Sequence, residues 1–183
     1  DLPREIDLYE EVLRLYGMDN IPTTLPAGRG RIGVRTNAQL VDAKIHRTLS
    51  ACGVNETMTY SFAAGDDLDK LRMKEDGLGE AVELINPMNS EQAFMRRTVV
   101  PGLLRSVAHN QAHGVSNIQL YEIGTVFAAH EGDRKPKERR KLACVLAGAM
   151  DDKGWNTDPR AFDFFDGKGA LEAIARELAL PKV

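Results

Sequence analysis

The sequence predicts an α+β fold in which helices pack on an antiparallel sheet. Two long apolar stretches, 118–129 and 141–150, flank a charged turn containing Pro136 and read as one antiparallel hairpin. Four segments, near 5–16, 36–52, 101–113 and 166–180, repeat apolar residues at helical spacing. Strands and helices then follow one another without a regular βαβ rhythm, which points to an antiparallel sheet with helices on it.

In chain order, Glu5-Ile-Asp-Leu-Tyr-Glu-Glu-Val-Leu-Arg-Leu-Tyr16 places Tyr9, Val12, Leu13 and Tyr16 on one helical face. Acids fill its first turns, Arg14 lies near its end as the helix dipole prefers, and Gly17 is the stop. From Ile21 to Arg35 prolines, glycines and arginines alternate without periodicity, which reads as a linker. A second helix begins at Thr36, with Gln39 at capping-box spacing, and ends at Gly53. Its apolar side is Leu40, Val41, Ala43, Ile45 and Leu49. Thr57–Phe62 alternates as a half-buried strand, a short acidic helix covers Asp66–Leu71, and Ala81–Ile85 is a further strand closed by Asn86-Pro87. Pro101 suits the first turn of a third helix, with Leu103, Leu104, Val107 and Ala108 inward and Gly114 after it. The hairpin strands Ile118–Ala129 and Lys141–Met150 follow, and Asp166 opens the last helix, which runs to Leu180.

The chain has 183 residues, enough for about one domain with a little left over. Its 24 basic and 27 acidic residues give a net charge of −3, which argues against a stand-alone nucleic-acid clamp while allowing one basic patch. Hydrophobic residues at 43% and charged residues at 28% exclude disorder and collagen-like repeats. No apolar run approaches the roughly 20 residues of a membrane span. Cys52 and Cys144 stand far apart with no CxxC, so neither a disulfide framework nor a zinc ribbon is expected. Both read as small buried residues. The chain starts at Asp1 without Met and ends on Pro181-Lys182-Val183, so it reads as a segment of something longer.

Several strings invite a chemical reading. Gly28-Arg-Gly30-Arg-Ile-Gly33 spells GxGxxG, but Pro22 through Ala27 is no strand, so a basic linker is the better account, with phosphate contact by Arg29, Arg31 and Arg35 as the remainder. His109 and His113 share a helical face, yet Asn110 stands where a zinc protease needs Glu and no third ligand is apparent. There is no GxSxG elbow, and Asp166-Gly-Lys168-Gly lacks the spacing of a phosphate loop. Asp7, Glu10 and Glu11 fall at i, i+3 and i+4 on the first helix, and Asp1 precedes them closely enough to curl back over that face. Such oxygen donors suit Mg²⁺; a solvated acidic face complementing the helix dipole is the competing account.

The stretch from Glu5 to Pro22, with Gly17-Met-Asp-Asn-Ile-Pro22 closing it, resembles the end of the B5 domain of bacterial phenylalanine–tRNA ligase beta subunits. Thr59-Tyr-Ser-Phe62, Asn86-Pro-Met-Asn-Ser90, Met95-Arg-Arg-Thr-Val-Val-Pro-Gly-Leu-Leu104, Leu120-Tyr-Glu-Ile-Gly-Thr-Val-Phe127 and Phe164-Phe-Asp-Gly-Lys-Gly169 resemble further landmarks of that family in the same order. The resemblance implies a class II aminoacyl-tRNA synthetase-like antiparallel β-sheet flanked by helices. It divides the chain into the last B5 helix at 1–22, a linker at 23–35 and a non-catalytic B6–B7 core module at 36–183, truncated at its C-terminal end. It also implies a cytoplasmic α₂β₂ assembly in which the alpha subunit uses ATP to charge tRNA with phenylalanine and this module packs against alpha. A Mg²⁺ shared with alpha is implied at Asp1, Asp7, Glu10 and Glu11.

The chain departs from the pattern of the wider class and of the family in several places. Class II catalysis relies on an Arg just after the strand resembling Ile118–Phe127, where it faces the ATP phosphate. Ala128 and Ala129 stand there instead. No third Gly-rich, Arg-bearing motif occurs before Val183, and Tyr9 and Met18 replace residue types common at those places. No catalytic residue and no ATP-binding residue is therefore expected in this module, and the segment alone should be inactive. The rival readings are a stand-alone class II-like amino-acid or adenylate-binding enzyme, and an RNA-binding module built on Arg29, Arg31, Arg35 and the 134–141 cluster.

Overall fold

A computed structural model describes residues 2–25, 33–73, 77–130, 132 and 135–181. The chain forms two compact units, Asp1–Val34 and Arg35–Val183. The elements are α1 (Glu5–Tyr16), α2 (Asn37–Ala51), β1 (Asn55–Glu56), β2 (Phe62–Ala63), α3 (Asp67–Lys70), β3 (Phe94–Met95), α4 (Val100–Ala112), β4 (Ile118–Ala128), β5 (Lys137–Ala147) and α5 (Phe164–Glu177), with short 3₁₀ turns at Met18–Asn20 and Ser90–Gln92.

The first unit is built on α1. The Asp7 carboxylate, one turn in, accepts the Arg4 backbone N–H at 3.0 Å and meets the Arg4 guanidinium at 3.0 Å. At the other end Gly17 adopts φ +94°, a left-handed value that lets its N–H donate to the Leu13 carbonyl at 2.9 Å. The helix is amphipathic in sequence but buries none of its residues; Ile6, Val12 and Tyr16 are all exposed.

The second unit holds the core. Thr36 Oγ1 accepts the Gln39 N–H at 3.3 Å and Gln39 Oε1 accepts the Thr36 N–H at 2.9 Å, the reciprocal cap anticipated from spacing. Ile45 and Leu49 form the buried side of α2. Gly53, at φ +78°, turns the chain into β1. β4 and β5 pair antiparallel over eleven positions, from Ile118↔Ala147 to Ala128↔Lys137. β1 joins β4 on its other side, giving the order β1-β4-β5. Tyr121, Ile123, Leu142 and Leu146 on one face of this sheet pack with Ile45, Leu49 and Val54 and with Ala170, Ile174 and Leu178. Tyr121 is 1% exposed, and its hydroxyl meets His46 Nδ1 at 2.8 Å. The opposite face carries Ile118, Glu122 and Val126, all buried, with α4 across it. Both faces of β4 are covered, which is why its sequence is nearly continuous in apolar residues.

Several expectations need correction. The sheet is mixed: β1 runs parallel to β4, with Asn55↔Leu120 and Glu56↔Tyr121 as partners. Thr57–Phe62 is not one strand. The Thr57 N–H still donates to the Tyr121 carbonyl at 2.8 Å, but the chain then leaves that sheet, and Phe62↔Met95 and Ala63↔Phe94 form a separate two-stranded sheet. Ala81–Ile85 contributes only the Glu83↔Phe94 bridge. The charged turn is shorter than anticipated, because β5 begins at Lys137. Its first five residues are exposed, and an edge strand accommodates such charges. Cys52 and Cys144 are exposed rather than buried: one caps α2 and the other lies on edge strand β5.

The last helix starts two residues earlier than anticipated, and Asp163 rather than Asp166 caps it. Asp163 Oδ1 accepts the Phe165 N–H at 2.8 Å, while Asp166 Oδ2 accepts the Asp163 N–H at 2.8 Å. Arg160 grips Asp166 through two nitrogens, at 2.5 and 2.7 Å. Hydrogen bonding and charge from Arg160, with help from the Asp163 backbone, hold the Asp166 carboxyl down to about 2. A depressed carboxyl favours the fold above its ordinary range, and the benefit disappears as pH falls toward about 2. In Arg160→Ala, NMR titration of the Asp166 carboxyl is expected to show its pKa returning to the ordinary carboxylate range; an unchanged value would contradict the pairing.

Candidate functional site

The most organised polar group in the second unit was not anticipated. Glu122 is 2% and Arg96 7% exposed, and Arg96 Nη1 lies 2.5 Å from Glu122 Oε1. The Arg96 Nε donates to the Thr125 carbonyl at 2.8 Å and Nη1 to Thr59 Oγ1 at 3.1 Å, while the Thr59 hydroxyl donates to Glu122 Oε2 at 2.7 Å. This network joins the 57–61 crossing segment, β3 and β4, so the two sheets meet around one ion pair. Two glycines make room for it. A Cβ at Gly124 would fall 2.3 Å from Arg96 Nη2, and one at Gly102 would fall 2.2 Å from Thr59 Oγ1. The readable signal was Glu122 and Gly124 on one face of an otherwise apolar strand.

The end of β4 is closed. The Phe127 N–H donates to the Arg96 carbonyl at 2.9 Å and the Ala129 N–H to the Glu80 carbonyl at 3.0 Å. Gly79, at φ +80°, lies so close that a Cβ there would sit 2.7 Å from Ala128 Cβ. The backbone of 79–80 thus occupies the place where a long side chain from Ala128 would have to emerge.

Beside this framework an open groove of about 1030 Å³ runs between the 57–62 segment, α3 and α4. Met58, Tyr60, Phe62 and Leu104 line it with apolar surface. Met58 is 88% and Tyr60 78% exposed, large values for such side chains in a segment flanked by two sheets. Asp67 at the groove wall is buried, and Arg105 of α4 reaches its Oδ1 at 2.7 Å. Leu40 and Val41, on the apolar side of α2, and Leu104, assigned inward on α4, are exposed.

Of the anticipated metal ligands, Asp1 lies outside the described residues. Asp7 is held by Arg4, Glu11 accepts from the Arg14 guanidinium at 2.6 Å, and Glu10 is exposed with no such partner among the described residues. Glu5 binds the Tyr9 hydroxyl, which raises the Tyr9 pKa. Among the described residues no three His, Cys, Asp or Glu side chains converge on one point. The His109 and His113 rings stack at 4.3 Å, with His113 Nδ1 2.7 Å from the His109 carbonyl oxygen, which suits a helix end. Residues 28–32 of the GxGxxG string lie outside the described residues. No helix among the described residues is long and apolar enough to cross a membrane.

The fold is that of class II-like aminoacyl-tRNA synthetases. It superposes on a pyrrolysyl-tRNA synthetase from Desulfitobacterium hafniense, PylSc, with TM-score 0.57 and 11% identity over 95% of this chain and 51% of that one. At that identity the likeness shows the fold alone. The particular family comes from sequence: the profile described as phenylalanyl tRNA synthetase beta chain CLM domain matches residues 21–183, and the chain belongs to that family. It is 39% identical over 184 residues to the phenylalanine–tRNA ligase beta subunit of Syntrophotalea carbinolica, covering 100% of this chain and 23% of that protein. The beta subunit of Geobacter sulfurreducens is also 39% identical, over 95% of this chain and 22% of its own length. That of Listeria innocua is 36% identical over 98% of this chain, again 22% of its length. The chain therefore spans less than a quarter of these relatives.

Proposed function

We propose that this chain serves in a phenylalanine–tRNA ligase as a non-catalytic interface module of the beta subunit, packing on the alpha subunit that uses ATP to charge tRNA. The closure of β4 by Gly79 and Glu80 carries this reading, because the point where a class II enzyme presents an Arg to ATP is filled by backbone. The exposed apolar groove at Met58 and Tyr60, lined also by Leu104 of α4, is the surface offered to alpha. In this reading 1–22 is the last helix of B5, 23–35 a linker and 36–183 the B6–B7 core, all working in a cytoplasmic α₂β₂ assembly.

The same reading gives the acidic set a role. Asp1, Asp7, Glu10 and Glu11 would hold Mg²⁺ at the boundary with alpha. The oxygen donor set fits a hard cation, and i, i+4 spacing puts Asp7 and Glu11 on one face. Arg4 and Arg14 now neutralise those two carboxylates and would have to release them. Bound there, Mg²⁺ would supply a shared positive charge between subunits rather than chemistry.

The test is a full-length beta chain carrying Met58→Asp and Tyr60→Asp, titrated with its alpha subunit. Two carboxylates at the groove are expected to weaken association at least about tenfold while leaving the melting temperature of the beta chain nearly unchanged, since both side chains are exposed. Unaltered association would remove the groove from the interface.

A further inference from the structure

Gly53 turns the chain from α2 into β1, and across that turn His46 of the helix meets Glu56 of the strand. His46 Nδ1 lies 2.8 Å from the Tyr121 hydroxyl of β4 and 3.4 Å from Glu56 Oε2. The His46 and Glu56 side chains are 33% and 44% exposed, so protons from water reach them while solvent screens their charges only in part. One nitrogen cannot serve both partners alike. As a neutral acceptor it takes the Tyr121 proton and offers Glu56 no donor. Burial pushes the Tyr121 phenol up, so its O–H persists at and above neutral pH. β1 is two residues long and pairs only as Asn55↔Leu120 and Glu56↔Tyr121, so one side-chain tie is a large share of its hold.

We propose that His46 is a proton-operated latch that ties β1 to α2 when charged and frees it when neutral. Protonation turns Nδ1 into a donor whose charge lies beside the Glu56 carboxylate. The Tyr121 oxygen then accepts, and its own O–H turns to Ser50, one turn along α2. The tie is present below the range in which histidine loses its proton and is lost as pH rises through it. The other titratable groups around the ring are engaged elsewhere. Asp42, one turn back on α2, is taken by Arg140 of β5 at 2.6 Å, and Lys44 turns to Glu177 of α5 at 3.9 Å. Cys144 of β5 stands beyond Tyr121 in the same row, and burial pushes its thiol up, so it stays neutral. Glu56 directly precedes the segment bearing Met58 and Tyr60, so the latch sets how firmly one wall of the groove is held. That consequence for alpha rests on the proposed function, but the latch itself is measured without alpha, and the two fail separately.

The experiment is hydrogen exchange by mass spectrometry on the full-length beta chain, followed in peptides spanning 54–57. After the intrinsic pH dependence of amide exchange is divided out, these amides are expected to be about two- to fivefold better protected at about pH 5.5 than at about pH 8. Glu56→Gln leaves the His46–Tyr121 bond in place and is expected to flatten that difference. His46→Gln, which can still accept the Tyr121 hydroxyl, should flatten it equally, and the double variant no further. Asp42→Asn, removing the neighbouring acid that Arg140 holds, is expected to keep the difference. Equal protection at both pH values in the wild-type chain, a difference that survives in Glu56→Gln or His46→Gln, or one lost in Asp42→Asn would overturn the proposal.

Discussion

Glu122→Ala is expected to lower the unfolding free energy by about 3–5 kcal/mol, among the largest effects any single side chain here should produce. The magnitude follows from what is left behind. Arg96 is 7% exposed, and without Glu122 its guanidinium keeps only the Thr125 and Thr59 oxygens as partners while its charge has no counter-ion. Thr59 loses its carboxylate acceptor at the same time. Because these residues tie the 57–61 segment to β3 and β4, the loss should appear as loosening between the two sheets. Replacing both partners, Arg96→Met with Glu122→Leu, should recover part of the deficit, since the uncompensated charge is gone. Urea unfolding of the two variants measures this; a loss below about 1 kcal/mol for Glu122→Ala would show that the pair is not isolated from water.

Gly148→Ala is expected to cost about 2–5 kcal/mol for a different reason. Gly148 ends β5 at φ +84°, a left-handed conformation costly for any residue with a Cβ. The added carbon would fall 2.1 Å from the Ser116 carbonyl oxygen and 2.7 Å from Asn117 Oδ1. The first of these is backbone at the start of the hairpin and has little freedom to yield. Asn117 Oδ1 also accepts the Ala149 N–H at 2.8 Å, so a shift there breaks a second contact. Thermal unfolding gives the number, and Gly114→Ala is a useful control: it has φ +85° but open space around its Cβ, so its cost should be backbone strain alone, about 1–2 kcal/mol.

The contrast between local and long-range information explains what could be read from the sequence. The Thr36–Gln39 cap, Pro101 in the first turn of α4, Gly17 as a helix stop and the hairpin of β4 and β5 are all written in residues near one another. The parallel pairing of β1 with β4 is not, because it joins positions 55 and 120, and no pattern within either segment records that meeting. The Thr57–Phe62 alternation was real, but its backbone partners are divided between Tyr121 on one sheet and β3 on the other. The Glu122–Arg96 pair was invisible for the same reason, although an acid and a glycine on one face of an apolar strand marked the place. The acidic set on α1 is legible as a set of residues, while nothing in its spacing marks Arg4 and Arg14 as competitors for the Asp7 and Glu11 carboxylates. Apolar periodicity placed Leu40 and Val41 on the apolar side of α2 and Leu104 inward on α4, and all three are exposed, because periodicity reports only that a face is apolar, not whether the chain itself covers it.

The most direct measurement is the mass in solution, by light scattering on a sizing column, of this chain alone and mixed with the matching alpha subunit, with and without Mg²⁺. An interface module predicts a mixed complex that survives dilution better when Mg²⁺ is present. Two independent peaks at the masses of the separate chains, in both conditions, would contradict the interface role and the acidic metal site together.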